Sequence, residues 1–140
     1  MLFEKSCGAV VYKKENNDYF FLVIRQRHGL HYGFPKGHVE RNELEEVTAK
    51  REVEEETGVN VRIIKDIRAE SNYTPRPNVQ KKVVYFLAES LTQNIHKQDA
   101  EILSVDWVHE ELVYEMLTHE NDRAVYHLML KKLKQTDNNE

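Results

Sequence analysis

The order of elements in this 140-residue chain predicts an α+β fold, an αβα sandwich with helices packed on a sheet. Three observations carry that expectation. Runs rich in β-branched and aromatic residues occupy both halves of the chain, one helical stretch interrupts them, and the last third turns to helical periodicity. Apolar residues make up 40% and charged residues 31%, a balance that suits one domain over residues 1–140 with a core of its own. The last residues, "QTDNNE" (135–140), read as a disordered tail.

Strands are expected over 3–13 and 19–27, separated by the turn-like "KENND". "HGLHYGFPKG" (28–37) holds three glycines and a proline, which makes it a loop or irregular strand. A helix follows over 43–57, with Asn42 as N-cap, Glu45 completing a capping box and Gly58 as the left-handed C-terminal stop. Further strands are expected over 59–70, 82–88 and 102–108, with "YTPRPNVQ" (73–80) as a proline-bearing loop. Residues 109–134 suggest two helical pieces meeting near "HEND". Leu112 and Met116 mark a core face in the first; Tyr126, Met129, Leu130 and Leu133 form a stripe in the second.

Several function classes are disfavoured. A net charge of −4 lacks the basic excess of a nucleic-acid-coating protein. The longest apolar runs, such as "YFFLVI", fall far short of the roughly 20 residues a bilayer crossing needs. The N-terminus lacks a secretory pattern, and Cys7 is the single cysteine, in a buried-strand context; a reducing cytoplasm fits both. Either a monomer or a homodimer suits the chain.

The segment 37–59, "GHVERNELEEVTAKREVEEETGV", packs eight glutamates into 23 residues. On a helical wheel Glu52, Glu55 and Glu56 share one arc, while Glu46, Lys50 and Glu54 fall on a solvent face. Leu44, Val47, Ala49 and Val53 flank that arc on both sides, so three carboxylates stand beside apolar positions. Like charges there need a positive neighbour, and Arg51 alone cannot balance them. Clustered carboxylate oxygens are the ligand set of a hard cation such as magnesium or manganese. The bland reading is a solvated acidic face.

The same residues fill the pattern G-x5-E-x7-R-E-U-x-E-E-x-G-U, with U apolar, through Gly37, Glu43, Arg51, Glu52, Val53, Glu55, Glu56, Gly58 and Val59. On this motif the chain resembles the Nudix hydrolase family, whose fold is an αβα sandwich: a mixed sheet, a catalytic loop–helix–loop and C-terminal helices. Beyond the motif, "FPKGHVE", "SNYTPRPNVQKKVVYFLAE" and "AEILSVDWV" look like the asymmetrical dinucleoside tetraphosphatase branch, which cleaves diadenosine tetraphosphate. Tyr32 stands where members often carry tryptophan.

The resemblance implies metal-dependent hydrolysis of a phosphoanhydride in a nucleotide, with Mg2+ or Mn2+ as cofactor. Glu52, Glu55 and Glu56 would hold metal, joined by the Gly37 carbonyl and by Glu101 from outside the motif. Glu43 and Arg51 would form a scaffolding ion pair, and Glu52, then Glu56, is the preferred proton acceptor. Lys36, His38 and Lys81 are candidate phosphate donors, with His28 and His31 weaker ones. Tyr73 and Tyr85 are candidates for stacking on a nucleobase, the other reading being half-buried strand tyrosines; Trp107 is expected in the core. Competing substrates are ordinary or oxidised nucleoside triphosphates and the triphosphorylated end of RNA. A non-catalytic nucleotide sensor is the reading from another class, and the intact glutamates speak against it.

Overall fold

The structure is a computed structural model that describes residues 1–97 and 99–138. Its centre is a mixed sheet. Strand β1 (Leu2–Glu15) turns through Asn16 and Asn17, both at positive φ, into β2 (Asp18–Gln26), the backbone demanded by a tight two-residue hairpin. β1 and β2 pair only from Tyr12–Phe21 to Glu15–Asp18. Farther along, the short strand β3 (Tyr32–Gly33) pairs with β2, and β4 (Lys36–His38) pairs with β1. The loop preceding the helix is thus bonded into the sheet at both ends.

Helix α1 (Glu45–Thr57) leads to β5 (Val61–Arg76) and β6 (Val79–Ser90), an antiparallel pair. β6 lies parallel to β1 from Leu2–Val79 to Tyr12–Glu89. β7 (Ile102–His109) pairs antiparallel with β2, and α2 (Glu110–Met116) and α3 (Glu120–Asn138) complete the chain.

Alternation along the central strands supplies two apolar faces. Val10, Phe21, Val23, Val83, Tyr85 and Leu87 point to one side, where Val113, Leu117, Val125, Tyr126, Met129 and Leu133 of the C-terminal helices cover them. Ala9, Val11, Leu22, Ala88, Cys7, Val84 and Phe86 point to the other, against Ala49 and Val53 of α1. The result is the expected α+β sandwich, with one helix on one face and two on the other. Cys7 is buried, and desolvation pushes its thiol up to about 11, so it is an apolar filler rather than a nucleophile.

Five expectations are corrected. Helix α1 starts at Glu45, with Leu44 at the N-cap and no side-chain cap; Asn42 sits at φ 64° in the preceding turn. Glu45 bonds Arg68 and Lys5 instead of closing a capping box. "YTPRPNVQ" is strand except for a tip at Pro77–Asn78, because β5 and β6 stay paired through it, from Tyr73–Lys81 to Arg76–Val79, across an irregularity in register. In α2, Leu112 is 61% exposed and Val113 takes the core position one residue on. Finally, α3 continues through 135–138, where disorder was expected, and Asp137 bonds Lys14 and Tyr19 on the β1–β2 hairpin; the rest of that tail lies outside the described residues.

Candidate active site

Arg51 organises the glutamate-rich loop–helix. Its Nε and Nη2 donate to Glu43 at 2.8 and 2.9 Å, a fork-on-fork pair, and Nη2 also donates to the His38 carbonyl at 3.1 Å. The guanidinium beside Glu43, aided by the Thr48 hydroxyl, holds that carboxyl down at about 2. Nη1 donates to Glu52 at 2.8 Å and to Glu55 at 3.2 Å, and stands 3.6 Å from Glu40. One arginine thereby clamps the loop, the helix and two of the three arc glutamates. Gly58, at φ 78°, ends the helix with its N–H on the Glu54 carbonyl.

Glu56 lies on the buried side of α1, 4% exposed, and its Oε2 has no hydrogen-bond partner among the described residues. Burial, followed by the neighbouring Glu52 charge, pushes its carboxyl up to about 9; Asp99 adds to the rise and Lys36 opposes it. Gly37 carries no side chain for a local reason: a methyl there would run into the Glu52 carboxylate. Glu52 therefore rests against the backbone of β4.

The arc is not assembled into a cage. Among the described residues no group of three acidic, histidine or cysteine side chains converges as a metal cluster. Glu52 and Glu56 are brought together, whereas Glu55 is drawn toward Arg51 with its side chain 55% exposed. Glu101 is exposed in the turn before β7, engaged through its backbone with Arg27 and Asp99. The donor set still fits a divalent ion: a buried, orphaned carboxylate oxygen beside a second carboxylate on bare backbone is an arrangement short of positive charge. Glu52 and Glu56 would hold such an ion.

A cleft of about 740 Å³ opens next to this loop, on the face covered by α2 and α3. Its lining includes His31, Tyr32, Lys36, Tyr73, His119 and Asp122. The segment joining α2 to α3 is strapped to β3, since Tyr32 N–H donates to the Thr118 hydroxyl at 2.9 Å and Thr118 N–H to the Tyr32 carbonyl at 3.2 Å. That strap sets the His119 ring 4.7 Å from His31, whose buried Nδ1 has no partner among the described residues. Arg25 lies 5.0 Å over the Tyr32 ring. Lys36 connects cleft and glutamates: it lines the first, and its charge is felt at Glu56.

Other sequence candidates are distributed unevenly. Tyr85 reaches the cleft only as its floor; the ring is fully buried and its hydroxyl donates to Asp122 at 3.2 Å, which rules out stacking on its face. Lys81 lies outside the cleft lining, and burial, followed by repulsion from Lys36, pushes its ammonium down. His38 is exposed on β4 and His28 lines the cleft mouth. Trp107 is half-buried against the α1 side, its indole N–H donating to the Gln93 carbonyl at 3.1 Å. Sequence reasoning missed Asp99, His119 and Asp122. The last two sit in "HEND", which carries only a break in helical period, with nothing to signal that the break folds over β3.

A glutamate-bearing helix mounted on a mixed sheet beside a nucleotide-sized cleft is the frame of a hydrolase, and residues 3–129 match the NUDIX domain: the chain belongs to that family. It is a Nudix hydrolase, similar to asymmetrical bis(5′-nucleosyl)-tetraphosphatases. The mouse enzyme is 35% identical over 101 residues, covering 65% of this chain and 68% of the relative; the pig enzyme is 35% identical over 95 residues, covering 61% and 64%. A binary complex of C. elegans Ap4A hydrolase superposes with a TM-score of 0.86 at 23% identity, covering 94% of this chain and 98% of that one. The NUDIX domain of Shewanella oneidensis NrtR, complexed with ADP ribose, gives 0.80 at 18% identity over 95% and 90% of the two chains; at such identities the likeness is one of fold. Nudix hydrolases generally use divalent metal ions and act on small nucleotide substrates. Among the described residues no helix is long and apolar enough to cross a membrane.

Proposed function

We propose that the chain hydrolyses dinucleoside tetraphosphates, diadenosine tetraphosphate foremost, to ATP and AMP. One observation carries this reading: the cleft and the arc glutamates meet at Lys36, so a nucleoside in the cleft would run its polyphosphate across Lys36 toward Glu52 and Glu56. Likeness to the mouse and pig enzymes supports the same substrate.

Tyr32, Tyr73 and the His31–His119 pair offer the nucleoside flat surfaces, and Lys36 offers the phosphates a cation. Mg2+ or Mn2+, held by Glu52, Glu55 and Glu56, would neutralise phosphate oxygens and lower the pKa of the attacking water. Glu52, braced by Arg51 and resting on Gly37, accepts the water proton as the P–O–P bond breaks toward the leaving nucleotide. Glu43 and Arg51 touch no substrate in this scheme; they hold the loop against the helix. His38 and Lys81 lie at the margin, suited to contacting the far phosphates, whereas Glu101, itself an anion, would serve only as an additional metal ligand. The chain acts as one domain, in a reducing cytoplasm that suits its single buried thiol.

A turnover panel with Mg2+ or Mn2+ tests this, comparing diadenosine tetraphosphate, nucleoside triphosphates, sugar nucleotides and triphosphorylated RNA, with products identified by mass. ATP plus AMP in equal amounts is expected. Failure to cleave diadenosine tetraphosphate while another substrate turns over efficiently would overturn the reading.

A further inference from the structure

The cleft holds a charged side chain for which the hydrolytic scheme has no use. Asp122, in the first turn of α3, is 8% exposed. The Tyr85 hydroxyl donates to its Oδ1 at 3.2 Å. Its other oxygen looks toward Gly33, where a methyl would lie 3.2 Å from Oδ2, and both residues line the cleft. The missing side chain at Gly33 leaves Oδ2 open to whatever occupies that space. Burial pushes the carboxyl up, while the Lys36 charge and the Tyr85 hydrogen bond pull the other way.

A buried carboxylate that already accepts one hydrogen bond still has lone pairs to fill. Leaving them unfilled on binding is costly, and a site so built discriminates against any ligand lacking the matching donor. The surrounding walls are Tyr32, Tyr73 and the His31–His119 pair, flat groups on which a planar ring would stack by its face, leaving its edge free for Asp122. The Asp122 carboxylate would repel phosphates, which Lys36 attracts, so the group that turns to Asp122 is the edge of the base.

We infer that Asp122 is a specificity-determining residue that accepts a hydrogen bond from the exocyclic amino group of a nucleobase in this cleft, selecting aminopurines such as adenine. The inference rests on the cleft being the nucleoside site proposed above, but not on the identity of the bond that is cut. Ser71, which also lines the cleft, has a hydroxyl that both donates and accepts and so cannot impose the same selection.

Equilibrium binding in EDTA, which blocks metal-dependent turnover, supplies the test. ATP and purine riboside 5′-triphosphate, which differ only in the amino group, are titrated against the full chain and Asp122→Asn. The asparagine keeps an acceptor for Tyr85 and loses the charge. The parent protein is expected to bind ATP about 10- to 100-fold more tightly than the purine analogue, and the variant to bind both within about threefold. Equal affinities in the parent protein overturn the inference, with or without a folded variant. An equal loss of both ligands in the variant, at an unchanged ratio, also overturns it and makes Asp122 a mere anchor for Tyr85. A preserved preference for ATP in a protein that leaves diadenosine tetraphosphate uncut would sink the substrate reading and leave this inference standing.

Discussion

Glu56→Gln is expected to stabilise the metal-free protein while abolishing its turnover. The folded carboxyl keeps its proton up to about 9, whereas the unfolded chain releases it near the ordinary 4.5. Between those values the unfolded state binds fewer protons, so stability falls as pH rises through that window; below it the effect vanishes. Each pH unit inside the window costs about 1.4 kcal/mol, which sets an upper bound of about 5 kcal/mol at pH 8. Water entry and side-chain rearrangement reduce this to about 2–4 kcal/mol, or roughly 6–12 °C in Tm for a chain of this length. Glutamine keeps the shape and removes the charge. Thermal melts in EDTA at pH 5 and pH 8 measure the effect, with parent and variant converging at pH 5. Adding Mg2+ or Mn2+ at pH 8 should raise the Tm of the parent more than that of the variant. A variant no more stable than the parent at pH 8, or a gap of equal size at pH 5, would refute the reasoning.

Two glycine substitutions should separate site from scaffold. Gly37→Ala drives a methyl into the movable end of Glu52, so stability should change by less than about 1 kcal/mol while kcat falls at least 10-fold, checked by urea melts beside initial rates. Gly8→Ala meets the Pro35 carbonyl and the Lys36 backbone instead, neither able to swing aside, and should cost about 2–3 kcal/mol by the same melts.

The architecture was legible because strand and helix periods differ. Val10 and Tyr85 against Ala9 and Phe86 could be assigned to opposite faces from alternation alone. Boundaries failed where a side chain had two possible partners. Glu45 has the spacing of a capping box, but Lys5 and Arg68, distant in sequence, claim its carboxylate. Leu112 has the right period for a core face, yet helix phase is set by where α2 leaves β7, and Val113 arrives there first. In the site, pattern singled out Glu52 and Glu55 with the arginine that clamps them, and Glu56 on the same arc. It could not locate His119 or Asp122, because their place depends on the Thr118–Tyr32 strap, a contact between residues 86 positions apart.

The parallel pairing of β1 with β6 bears on how the protein reaches this state. Tyr12 and Glu89, hydrogen-bonded across that pair, are 77 residues apart, and α1 lies wholly within the loop they close. Closing a loop of that size costs about 4 kcal/mol of chain entropy before its contacts repay any of it. The glutamate-rich helix has little stability of its own, since its packing partners Cys7, Ala9, Val84 and Phe86 belong to the two strands that must first meet. Hydrolytic competence is therefore a late event in folding, gained together with the sheet and lost with it.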